Sequence, residues 1–96
     1  MKSTAFLINA ARGGVVNEEA LVRALDANEI AGAATDVLTT EPPVNGNPLL
    51  DKVRDNLIIT PHCAWGSFEA RERIIAQIAE NIEAFIQGSP TRQVNA

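Results

Sequence analysis

Ninety-six residues, 46% hydrophobic and 21% charged, describe one small globular domain or part of a larger one, and they exclude a disordered chain. The formal net charge of -4, with no basic cluster to offset it, excludes a nucleic-acid-binding surface. One cysteine, Cys63, excludes an intrachain disulfide and a cysteine-based zinc cluster, and fits a reducing compartment.

The opening Met1-Lys2-Ser3 followed by Ala5-Phe6-Leu7-Ile8 imitates a signal peptide, but Asn9 and Arg12 cut the apolar run too short for one. No run reaches transmembrane length, so no membrane partner is expected and the default address is cytoplasmic. Residues 4–9 read instead as a first strand, apolar without alternation, the pattern of a strand buried on both faces in a parallel sheet. The run Ala10-Ala11-Arg12-Gly13-Gly14 leaves it as a flexible turn. Asn17 reads as the N-cap of a helix with Glu18 and Glu19 in its first turn, where the helix dipole favours anions. Ala20, Leu21, Ala24 and Leu25 form its apolar stripe, and Asn28 is its stop.

Residues 30–37 read as a second strand whose small members, Ala31 to Ala34, let a covering helix approach closely. Strand, helix and strand over residues 4–37 make a βαβ unit, right-handed by the general rule. Residues 39–48 hold three prolines and a glycine and read as loop. Within it, Pro42 keeps Glu41 out of the helical region, and Leu49-Leu50 anchors the loop's far end to the core. Residues 56–60 are the third strand, bounded by turn residues. Ser67 opens a long last helix whose stripe of Ile74, Ile75, Ile78, Ala79, Ile82, Phe85 and Ile86 is broad enough for contacts on more than one side. Gly88 and Pro90 stop it, and the tail, 89–96, is too polar to place.

Four chemistry-bearing residues follow strand ends: Arg12 after the first, Asp36 at the end of the second, Glu41 on the next loop, and His62 after the third. Parallel strands put their carboxyl ends on one edge, where ligands gather in open α/β sheets. His62 is the only histidine, and imidazole exchanges protons near neutrality. An arginine fork suits bidentate capture of a carboxylate, and a carboxylate beside an imidazole fixes its tautomer. Together the four read as an acid/base centre for a small carboxylate substrate. A plainer alternative stays open on spacing alone, with Arg12 and Glu41 as ordinary surface charges and Asp36 as a turn residue.

The residues Leu7 to Asn17, Gly32 to Val37, Glu41-Pro42-Pro43 and Thr60 to Trp65 resemble the D-isomer-specific 2-hydroxyacid dehydrogenases. The segments from Asp36 to Pro43, from Asn47 to Leu50 and from His62 to Trp65 lean towards the glycerate dehydrogenase and hydroxypyruvate reductase branch. The resemblance implies an α/β fold, the C-terminal portion of a Rossmann-type dinucleotide-binding domain. Its parts would be three parallel strands, one crossover helix and one long C-terminal helix. It implies catalytic roles for Arg12 on the substrate carboxylate, His62 as proton donor and acceptor, and Glu41 as the group that orients His62 and raises its proton affinity. It implies NAD or NADP as cofactor, with Ala10, Ala11, Arg12, Asp36, His62 and Ala64 around the nicotinamide. Cys63 reads as ordinary packing, and Trp65 equally as packing or as a wall of the substrate pocket.

Gly-x-Gly-x-x-Gly, which grips the pyrophosphate in such domains, does not occur among these residues. The expectation is therefore a partial NAD(P)-binding domain over 1–96, truncated at its N-terminal side and inactive alone. It would act with a missing N-terminal portion or a second subunit, in a homodimeric parent that reduces a small 2-keto acid, hydroxypyruvate or glyoxylate being favoured. The rival reading is a non-catalytic remnant that reuses the scaffold as a binding module.

Overall fold

Three short strands, β1 (Phe6–Asn9), β2 (Gly32–Thr35) and β3 (Leu57–Ile59), pair in parallel in the order β1-β2-β3. The computed structural model describes residues 1–94, in two compact units that divide after Ala64 and are treated separately below. The expected α/β architecture is present, with every strand shorter than the apolar pattern indicated. The tail residues 95 and 96 lie outside the described residues.

In the first unit, β1 and β2 are joined through helix α1 (Glu18–Asp26). Asn17 caps it as its side chain spans three residues: Oδ1 accepts from the Ala20 N–H at 2.9 Å. The helix ends at Asp26 with Ala27 as its C-cap, one residue before the expected stop, and Asn28 takes a left-handed φ of 53° beyond it. Asparagine tolerates that conformation better than most side chains.

Strand periodicity decides which side chains meet α1. Leu7, Ala33 and Leu57 share one register row and, with Ile59, face the helix side, where Leu21, Leu25, Ile30 and Leu49 complete the core. Leu49 lies in a short 3-10 helix, Pro48–Leu50, so the loop does anchor to the core there, while Leu50 points outward. Arg54 holds this corner: its side chain is buried and bonds to Asp26 at 2.9 Å and Asp51 at 2.8 Å. The opposite face is the correction to the sequence reading. Phe6, Ile8 and Ile58 remain 70%, 75% and 66% exposed, so β1 is packed on one face rather than both.

The second unit contains α2 (Phe68–Ile86), capped by Ser67 Oγ, which accepts from the Ala70 N–H at 3.1 Å. None of its residues is buried, and the cover expected for its broad apolar stripe is not found within this unit. The tail, unplaced by its polarity, returns onto the helix through Arg92, which bonds to Glu80 at 2.6 Å and Asn81 at 2.9 Å. Among the described residues no helix is long and apolar enough to cross a membrane.

The one-sided core predicts a contrast in urea denaturation. Leu25→Ala, at a fully buried core position, is expected to cost about 2–5 kcal/mol. Ile58→Ala, on the open face, is expected to stay within about 0.5 kcal/mol of the parent. Equal losses at the two positions would contradict the one-sided packing.

Candidate active site at the strand ends

Asn9, Thr35 and Ile59 stand in register at the carboxyl ends of the three strands, and the turns that leave them form one edge. Asn9 is buried and organises the first turn: Oδ1 accepts from the Ala11 N–H at 3.2 Å, and Nδ2 donates to the Arg12 carbonyl at 3.1 Å. This is an asparagine hydrogen-bonding its backbone two residues on, a turn-forming habit of that side chain. The turn presents Arg12 to solvent, where Nη1 donates to the Ala11 carbonyl at 2.8 Å.

Gly13 follows because nothing larger fits. A Cβ there would lie 1.9 Å from the Leu38 carbonyl oxygen and 2.8 Å from the Thr39 Cα. The Arg12 turn and the start of the 38–47 loop therefore touch backbone to backbone.

Asp36 ends β2 and binds the turn that follows β3. Its Oδ1 accepts from the Thr60 hydroxyl at 2.5 Å and from the Cys63 N–H at 2.9 Å, and its Oδ2 accepts from the Ala64 N–H at 2.8 Å. These three donors, the Thr60 hydroxyl first, hold the carboxyl down at about 2 against its ordinary 3.8. Within the turn so clamped, His62 takes a left-handed φ of 53°. Such a conformation persists where the surroundings over-determine it.

The Glu41 carboxylate meets the imidazole there. Its Oε2 lies 2.6 Å from His62 Nδ1, and its Oε1 accepts from the Leu38 N–H at 2.7 Å. Both bonds favour the ionised form, and the Leu38 N–H first, then His62, lower its pKa below the usual carboxylate range. With an ionised carboxylate as acceptor, Nδ1 is the donor of the pair.

A cavity of about 300 Å³ opens beside these groups, lined by Ile8, Ala34 and Ile58 of the open sheet face and by Asn9, Ala10, Thr35, Asp36, Thr60, Cys63 and Ala64 at the strand ends. Of the six residues expected around a nicotinamide, Ala10, Asp36 and Ala64 line it, whereas Ala11, Arg12 and His62 lie outside its lining. Cys63, expected as packing, is exposed and contributes to the cavity wall. Trp65 belongs to the second unit.

Sequence reasoning missed four contributors: Asn9, Thr60, Gly13 and Glu18. Asn9 carried a local signal, an asparagine ending an apolar strand before a small-residue turn. Thr60 and Glu18 carried none, because their partners are 24 residues away for Thr60, and 21 and 29 away for Glu18.

Residues 1–64 match the sequence profile of a family described as D-isomer specific 2-hydroxyacid dehydrogenase, NAD binding domain. The chain is 50% identical over 96 residues to a glycerate dehydrogenase of Methylorubrum extorquens, covering 100% of this chain and 31% of that protein. It is 41% identical over 95 residues to a hydroxypyruvate reductase of Blautia hydrogenotrophica, covering 99% of this chain and 29% of that protein. A glyoxylate reductase from Paecilomyes thermophila superposes with a TM-score of 0.71 at 30% identity, over 99% of this chain and 28% of the other. The chain thus spans about three-tenths of the length of these curated relatives.

The Asp36 clamp gives a pH expectation. A carboxyl held low in the fold contributes stability above its unfolded pKa, and that contribution is lost as pH falls through the folded value. The Cys63 and Ala64 amides should therefore lose hydrogen-exchange protection as pH falls from about 4 towards about 2. Asp36→Asn should weaken the same amides already at neutral pH, since an amide offers one acceptor oxygen in place of two. Protection unchanged in both cases would remove the clamp.

Proposed function

Because this chain belongs to the D-isomer specific 2-hydroxyacid dehydrogenase family, whose NAD binding domain its residues 1–64 match, we propose that its strand-end edge carries the proton-transfer half of a reversible 2-keto acid reduction. The observation that carries this reading is the Glu41–His62 pair, at 2.6 Å, beside a cavity walled by alanines and Asp36.

The cavity suits a nicotinamide ring. Ala10, Ala34 and Ala64 leave room for a flat group, and Ile8 and Ile58 offer it an apolar face. Asp36 Oδ2, which accepts one backbone N–H, has a lone pair in hand for a carboxamide N–H. When bound, the nicotinamide supplies or removes hydride at the substrate carbon. His62 handles the proton: the protonated ring gives it to the keto oxygen as that becomes a hydroxyl, and the neutral ring takes it back in the reverse direction. Glu41 holds Nδ1–H and so directs the exchange to Nε2. Arg12, exposed on the Asn9 turn, captures the substrate carboxylate through its guanidinium fork. The names of the similar proteins favour hydroxypyruvate and glycerate, or glyoxylate, as the small acid. The pyrophosphate grip would come from a segment of a longer protein or a partner, since no Gly-x-Gly-x-x-Gly occurs here.

Two measurements test this. The 96-residue chain by itself should bind NADH weakly in titration calorimetry; a micromolar Kd would show that the missing loop is unnecessary. This chain can also replace the matching segment of the Methylorubrum extorquens glycerate dehydrogenase. The chimera is expected to reduce hydroxypyruvate with NADH, and His62→Asn is expected to lower kcat by about 100- to 10,000-fold while NADH still binds. Arg12→Gln should raise KM for hydroxypyruvate by about 10- to 100-fold, the loss of a charged hydrogen bond. A folded chimera that binds NADH but turns nothing over would overturn the proposal in favour of a binding remnant.

A further inference from the structure

The loop that carries Glu41 has no regular structure of its own, yet Glu41 must be held within hydrogen-bond reach of His62. Its two ends converge on one side chain. Glu18, half-buried in the first turn of α1, accepts from the Thr39 N–H through Oε1 at 2.7 Å and from Asn47 Nδ2 through Oε2 at 2.8 Å. Asn47 is itself fixed, because its Oδ1 accepts from the N–H of the buried Leu49 at 2.9 Å. On the near side, the Leu38 N–H bonds to Glu41 while the next N–H, of Thr39, bonds to Glu18. Consecutive backbone donors thus grip the two carboxylates, so the placement of one fixes the placement of the other. Leu38 further anchors the segment through its backbone contact with Gly13 and its side chain packed against the core.

We propose that Glu18 is a positioning residue that closes the 39–47 loop on α1 and thereby holds Glu41 against His62 Nδ1. The inference rests on the Glu41–His62 reading above. Glu18 is not among the residues that line the cavity, and its hydrogen bonds go to the two ends of the loop, so its effect runs through the loop. Its two oxygens are not equivalent in substitution. Glu18→Gln can keep the acceptor for Thr39 but presents an amide N–H₂ to the Asn47 N–H₂. Pairing it with Asn47→Asp turns that clash into a hydrogen bond in the opposite sense and keeps an acceptor for the Leu49 N–H.

The test uses the fact that His62 is the only histidine in the chain, so its ring ¹⁵N resonances report one site. In the parent chain the neutral ring is expected as the Nδ1–H tautomer. In Glu41→Ala the Nδ1–H form should lose population. Glu18→Gln should move the ring in the same direction, and Glu18→Gln with Asn47→Asp should return it to the parent form. In the glycerate dehydrogenase chimera, Glu18→Gln should lower kcat about 10-fold, with KM for hydroxypyruvate within about twofold, as expected when orientation and not binding is lost. It should cost nothing further in a Glu41→Ala background. A ring unmoved by Glu18→Gln but moved by Glu41→Ala overturns the role of Glu18 alone. A ring moved by neither overturns the Glu41–His62 pairing, and Glu18's role with it. Additive losses in kcat, or a double exchange that fails to restore the tautomer, would also overturn the proposal.

Discussion

The strand ends are held together by a carboxylate that has given up its freedom. Asp36 sits where β2 ends and binds the Thr60 hydroxyl and the Cys63 and Ala64 N–H groups of the turn after β3. Without those bonds the turn would have two backbone donors to satisfy and a left-handed histidine to support. With them, the imidazole is carried at a fixed place on the edge, and a neighbouring loop can be built to meet it.

The same device recurs twice more along that edge. Glu41 takes the Leu38 N–H and faces His62; Glu18 takes the Thr39 N–H and the Asn47 side chain. In each case an ionised oxygen gathers donors that loops and turns leave unmatched, and charge-assisted bonds of this kind are stronger than neutral ones. A chain with a net charge of -4 has thus placed part of its acidity where irregular backbone needs acceptors. That reading differs from the usual one of acidic residues as a solubilising surface. It explains why the loop of three prolines can present a side chain accurately although it makes no ladder of its own.

What the sequence made legible followed the range of each interaction. Asn17 and Ser67 could be read as caps because a cap acts over three residues. The parallel strands could be read from short apolar runs, but their ends could not. Residues 30, 31, 36 and 37 lie outside β2, as pairing with both neighbours ends with Thr35. The apolar run in β1 implied cover on both faces, yet a run of that kind records only what a face tolerates, and Phe6 and Ile8 stand in the open. Among the site residues, Glu41 and His62 were singled out and stand in contact, whereas Asp36 was expected to face a cofactor and is found as the clamp of the His62 turn, a role the sequence did not suggest. Glu18 was visible only as a helix-start acid. Its tertiary partners are set by how the loop folds back, which no local pattern encodes.

Gly13 ties two parts of this edge into one mechanical piece. Because the Leu38 carbonyl fills the space a side chain would take, the Arg12 turn and the start of the Glu41 loop are spaced by direct main-chain contact. Any residue larger than glycine at this position would have to push the two backbones apart, and so would shift the start of the loop that carries Glu41 away from the turn. The spacing of the two segments is thus set by the main chain itself, at a position with no side chain to reveal it.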